Sequence, residues 1–281
     1  MGRYRRIIVL LCLGLLCGLA AGCDEREVKA AISKLARTVS ANLIGDLEEA
    51  RIALREREWN RAARYLERFL RTAMDQDERW EAWNSLIDVT ERASQDRRWI
   101  SAYLETMLVE FEDDPVRRRE VLYRMGEMQE MSHQYERATL TWSQLSMLSG
   151  LSPEERLSIF KRLASLQMRL NRLQDAEDAL HECLSLPLSD NAKGDCLYSL
   201  ADISALRGDL TDSANIASQI LDIQELSQEL YGKTAFLLAD VYEQQQKYAE
   251  ALQLYLTIRE TYPNPLAVGA RIAYLEKKVK K

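Results

Sequence analysis

Residues 235–263 read AFLLADVYEQQQKYAEALQLYLTIRETYP. Tyr242 follows Leu238 by four places and Ala239 by three, and after a polar break Tyr248, Ala251, Tyr255 and Ile258 recur at steps of three, four and three. Residues spaced in this way share one face of an α-helix. Pro263 closes the second stripe, where a helix has to stop. The stretch therefore reads as two amphipathic helices joined by a short turn.

The second stripe recurs upstream as Trp59-Ala62-Leu66-Phe69, Trp99-Ala102-Thr106-Val109, Tyr135-Ala138-Trp142-Leu145, Leu173-Ala176-Leu180-Cys183 and Leu210-Ser213-Ala217-Ile220. Successive anchors lie 40, 36, 38, 37 and 38 residues apart. About ten residues before four of them stands the first stripe: Met125, Gly126 and Gln129; Leu163, Ala164 and Gln167; Leu200, Ala201 and Ser204; Leu238, Ala239 and Tyr242. Pro115, Pro153, Pro187 and Pro263 fall between pairs or at the end of the last, and Gly208-Asp209 makes a turn within the fifth. The chain has 11 glycines and 5 prolines in 281 residues, about half the usual share, which disfavours hairpin-rich β folds. At 47% hydrophobic and 29% charged it is neither disordered throughout nor a polytopic membrane protein.

This pattern resembles the tetratricopeptide repeat over roughly residues 42–264, most clearly in the last unit. The resemblance implies an all-α solenoid of six helix pairs, each burying its apolar face against its neighbours. The small residue at Ala62, Ala102, Ala138, Ala176, Ser213 and Ala251 then marks the close approach of the two helices of a pair. Residues 265–281, with Val268, Ile272 and Leu275 and four lysines, form a C-terminal capping helix with a basic tail. Residues 23–41 read as a helix through Val28, Ile32, Leu35 and Val39, either a spacer or a first cap. The period of about 38 exceeds the 34 of the family, so some helices or links are longer than standard.

Arg3, Arg5 and Arg6 precede an apolar run from Ile7 to Gly22 that is too short for a permanent bilayer span. It ends Leu19-Ala20-Ala21-Gly22-Cys23, which resembles the lipobox of bacterial lipoproteins; the family prefers leucine where Ala20 stands. The resemblance implies a signal peptide over 1–22, lipidation of Cys23 and an envelope location facing the periplasm. An ordinary cleaved signal and an uncleaved anchor are the alternatives. Asp24 resembles the inner-membrane retention signal of enteric lipoproteins. Cleavage removes three arginines and no acid from 38 basic and 44 acidic residues, leaving a net charge of −9. Such a balance disfavours nucleic-acid binding.

No gathered chemistry is visible. His133 and His181 lack ligand-spaced partners, no glycine-rich phosphate loop or nucleophile elbow is present, and neither a metal, a cofactor nor a small-molecule substrate is expected. Glu112-Asp113-Asp114 directly precedes Pro115 and reads as a solvated junction. Cys183 and Cys196 lie equally far from a turn near residue 189, so they are either a disulfide or two buried thiols. Met125, Met128 and Met131 read as packing.

In tetratricopeptide proteins the first helix of each pair lines a groove for a partner's extended segment or helix. Alignment with that family puts Tyr123, Glu127, Glu130, Lys161, Ser165, Arg169, Asp195, Tyr198, Asp202, Phe236, Asp240 and Glu243 on this face. Rings among carboxylates suit a basic, partly apolar protein segment. The lysine and asparagine set with which chaperone-binding relatives hold a terminal carboxylate is missing, Lys161 standing nearly alone. The expected function is a membrane-tethered protein-interaction scaffold, loosely similar to lipoproteins of barrel and pilus assembly. An accessory subunit of an envelope enzyme or secretion system, or an enzyme with an unrecognised site, is the alternative.

Overall fold

A computed structural model describes residues 25–93 and 97–280, and every regular element among them is helical. The signal segment, Cys23 and Asp24 lie outside the described residues. The described chain divides into two compact units, the first ending at Glu112 and the second beginning at Asp113.

In the first unit, α1 (Glu25–Arg55), α2 (Trp59–Thr72), α3 (Gln76–Ala93) and α4 (Arg97–Glu110) each pack on the next. The spacer has no boundary near residue 41: α1 runs unbroken for 31 residues, about 46 Å at the helical rise, into the first pair. In the second unit the pairs are α5 (Pro115–Met131) with α6 (Tyr135–Ser146), α7 (Pro153–Arg169) with α8 (Leu173–Leu184), α9 (Asp190–Arg207) with α10 (Leu210–Leu221), and α11 (Gln228–Gln244) with α12 (Tyr248–Ile258). The cap α13 (Pro265–Val279) follows and buries Val268, Ile272 and Leu275. First helices also touch the first helices of adjacent pairs, α7 on α9 and α9 on α11.

Helix starts and turns follow local chemistry. First helices are capped by side chains: Asp114 accepts from the Val116 and Arg117 amides ahead of Pro115, Ser152 and Glu155 form a reciprocal capping box, and Ser189 and Ser227 cap α9 and α11. Second helices have no side-chain cap, because the residue before them is already used by the turn. In five pairs that turn is the same Schellman motif. In the pair α7–α8, Arg172 donates its amide to the Gln167 carbonyl at 2.8 Å and Asn171 to Met168 at 3.0 Å. The residue that must turn left-handed is Arg57, His133, Asn171, Gly208 or Gln246, so only one turn has glycine where it is easiest.

The expected small residues lie at full burial: Ala62, Ala138, Ala176, Ser213 and Ala251. The one failure is α4. There Ile100, Leu104, Met107 and Phe111 are buried, while Trp99 is 58% and Val109 68% exposed and Ala102 and Thr106 face outward. The expected stripe is thus one residue out of register. Trp99, taken for the core anchor, instead lies beside Tyr103, with ring centroids 6.4 Å apart. Beyond the repeats, Arg79 donates to Glu110 at 2.6 Å and to the Ala73 carbonyl at 3.0 Å, closing the end of α2 onto α4. Met125 and Met128 are buried and Met131 is exposed. Cys183 on α8 and Cys196 on α9 are fully buried and joined by a disulfide between successive pairs, with Cα atoms 6.5 Å apart.

Two substitutions probe the close approach. A Cβ on Gly126 would lie 2.6 Å from the ring of fully buried Trp142, so Gly126→Ala should cost about 1 to 3 kcal/mol by overpacking. Ser213 holds the alanine place with a buried hydroxyl that has no hydrogen-bond partner, so Ser213→Ala should gain about 1 kcal/mol. Denaturant unfolding of both variants checks the opposite signs.

Candidate functional site

The first helices of the second unit bring most of the expected groove residues into one network. Lys161 on α7 donates to Asp195 on α9 at 3.0 Å, and Lys233 on α11 donates to the other oxygen of Asp195 at 2.7 Å. Arg162 on α7 reaches back to Glu127 at 2.9 Å and Glu130 at 3.1 Å on α5. Arg271 on the cap holds Asp240 at 3.3 Å and Glu243 at 3.0 Å on α11. Cations and carboxylates alternate from helix to helix.

Five of the six carboxylates expected on this face are already matched within the fold. Lys161 is not alone either. Arg162, Lys233 and Arg271 were missed, although each stands about one repeat after the carboxylate it holds, which is the signal that exposes them. Ser165 and Arg169 are exposed, and the Arg169 guanidinium lies 5.7 Å from the ring centre of Tyr135.

The aromatic members differ in availability. Tyr123 meets Trp142 edge-on at 5.1 Å, and Arg162 lies 5.6 and 4.8 Å from the two ring centres while the Trp142 indole donates to Glu130 at 2.6 Å. Phe236 stacks on Tyr262 at 4.8 Å and meets buried Tyr255 edge-on at 5.3 Å, so it belongs to the core as much as to the face. The Lys233 ammonium lies 4.8 Å from the Tyr198 ring centre. Burial pushes the Tyr198 hydroxyl up to about 12, with Asp202 and Tyr262 adding to the rise.

Asp195 and Asp202, two helical turns apart on α9, have opposite electrostatics. Burial disfavours the Asp195 carboxylate, but hydrogen bonds from Lys233 and Lys161 outweigh it and hold its pKa below the usual value. Asp202 has burial alone, which raises its pKa.

No three His, Cys, Asp or Glu side chains among the described residues are arranged to hold a metal ion, and no described helix is long and apolar enough to cross a membrane. His133 is occupied with the Tyr135 hydroxyl at 2.8 Å, and His181 is exposed on α8. Open clefts lie near Arg57–Arg64 and near Gly208–Ser218.

Pairs of antiparallel helices with a conserved turn geometry, stacked with their first helices side by side, define a helical-repeat protein. Residues 47–96 and 234–265 each match the tetratricopeptide-repeat family, so the chain carries tetratricopeptide repeats. Solved structures of the same architecture include kinesin-light-chain TPR-like repeats of Podosopora anserina (TM-score 0.52, 18% identity, 67% of this chain and 96% of that one). MamA of Desulfovibrio magneticus RS-1 is similar at TM-score 0.51 and 15% identity, over 67% of this chain and 96% of that one. Both likenesses are of fold. No curated protein matches the sequence. Tetratricopeptide repeats serve protein–protein interaction, and this chain is accordingly an interaction scaffold.

The two aspartates predict opposite pH behaviour. Asp195, with its pKa lowered on folding, adds stability above about pH 4 that is lost as the pH falls through its folded value; Asp195→Asn should cost about 1 to 2 kcal/mol at neutral pH. Asp202, with its pKa raised, detracts from stability above its folded value, and that deficit is relieved as the pH falls towards about 4. Thermal unfolding from acid to neutral pH should show Asp202→Asn more stable than the parent at neutral pH, and the advantage closing on acidification.

Proposed function

We propose that the protein is a lipoprotein of the bacterial cell envelope, anchored through Cys23 and facing the periplasm. There it holds a partner's extended segment on the first-helix face of its second unit, in the assembly or regulation of an envelope complex. The run Leu19-Ala20-Ala21-Gly22-Cys23 behind three arginines supports the anchor. A cysteine pair at bridging distance suits an oxidising compartment.

The observation that carries the binding reading is the row Tyr198, Phe236 and Tyr262. These rings are left half-open on a face where Asp195, Asp240 and Glu243 are already matched internally. Rings held rigidly by packing lose little entropy on contact and favour apolar side chains in a bound segment.

Two measurements test the parts separately. Cys23→Ser should move the protein from the membrane fraction to the soluble periplasm; unaltered membrane retention would remove the lipid anchor. A photo-crosslinking residue at Tyr198 should capture a discrete partner in native membranes, and Tyr198→Ala should lose that partner at unchanged helicity and thermal stability. Recovery of the same partner by Tyr198→Ala would remove the face from binding. Tyr198 is the better choice than Phe236, whose loss would also loosen the core under the cap.

A further inference from the structure

The charge network on the first-helix face is one cation short. Glu127, Glu130, Asp195, Asp240 and Glu243 each have a Lys or Arg at hydrogen-bonding distance. Asp202 has none among the described residues, although it stands on the same face of α9 as Asp195 and Tyr198, seven and four residues on. The cations of the neighbouring elements are engaged elsewhere: Lys233 with Asp195 and the Tyr198 ring, Arg271 with Asp240 and Glu243, and Arg169 on the Tyr135 ring. A half-buried carboxylate without a partner is costly to keep ionised, and in a folded domain such a group is compensated either by a shifted charge state or by a ligand. Its neighbours Tyr198 and, through Tyr198, Tyr262 and Phe236 supply ring faces to an apolar or cationic group.

We propose that Asp202 receives one lysine or arginine side chain of the partner's segment, with apolar residues beside that cation resting on Tyr198, Phe236 and Tyr262. The inference rests on the reading of this face as the binding face. It narrows the partner to a segment with a single cation among apolar residues. A run of cations is disfavoured, since the remaining carboxylates are already matched and further positive charge would meet Lys161, Lys233 and Arg271. A divalent metal ion is a poor substitute, because no second and third ligand side chain stand with Asp202 among the described residues.

Random peptides displayed on phage are selected against the protein and kept if their binding is lost on Tyr198→Ala. The kept peptides should carry one Lys or Arg flanked by apolar residues. Replacing that residue by norleucine should weaken binding to the parent about tenfold, as loss of a charge-assisted hydrogen bond does, and leave binding to Asp202→Asn nearly unchanged. Asp202→Asn is expected to be at least as stable as the parent, so weakened binding by it reports recognition and not unfolding. Kept peptides without a cation, or a cation whose removal costs the same on both proteins, would overturn the assignment to Asp202 and leave the binding face standing. No peptide sensitive to Tyr198 at all would remove the binding face, and this inference with it.

Discussion

The structure depends on how closely two helices of a pair can approach. At Ala62, Ala138, Ala176, Ser213 and Ala251 nothing larger than a methyl or hydroxymethyl group separates them, and each of these residues is fully buried. The approach is set from one end by the Schellman turn, which reverses the chain within two residues and leaves no slack for the pair to open. Four of five such turns place an ordinary side chain in the left-handed region, a local cost of about 1 to 2 kcal/mol that the packed pair outweighs. Low glycine content and tight helix pairing are therefore compatible, because packing and two backbone hydrogen bonds hold what glycine would otherwise ease.

Close pairing also shapes the first-helix face. Each pair fixes its first helix at a set distance from the next, so a side chain one repeat further on lands opposite its counterpart. Lys161, Asp195 and Lys233 form a three-helix bridge for this reason. Exposed ion pairs contribute little to stability individually, and their clearer effect here is on the charge of this face. They neutralise the face almost completely and leave Asp202 and a few half-buried rings as its distinguishing features.

Much of the fold was legible because small and large apolar residues recur with a helical period inside a longer repeat. The second helices begin at Trp59, Tyr135, Leu173, Leu210 and Tyr248, at the residues the repeat singles out. In α4 the pattern misled. Trp99 is aromatic and sits at the repeat interval, but Ile100, Leu104 and Met107 make the better apolar face, and a helix buries a whole stripe before it buries one ring. The polar Thr106 within the expected stripe was the sign of the error. The candidate site was legible as a set of positions and not as a set of partners. Tyr198, Asp195 and Asp240 stand on the first-helix face, yet the cations opposite them come from other repeats, and pairing across 31 to 38 residues depends on distances between helices.

By itself, the sequence determined an all-helical tetratricopeptide architecture, its pair boundaries and its small-residue contacts, since these follow from local propensity and apolar periodicity along one chain. Only the tertiary structure decided which charges are spent within the fold and which one is left over. Neutralisation is a property of side chains brought together from different helices, and a carboxylate is unmatched only by reference to all of its neighbours.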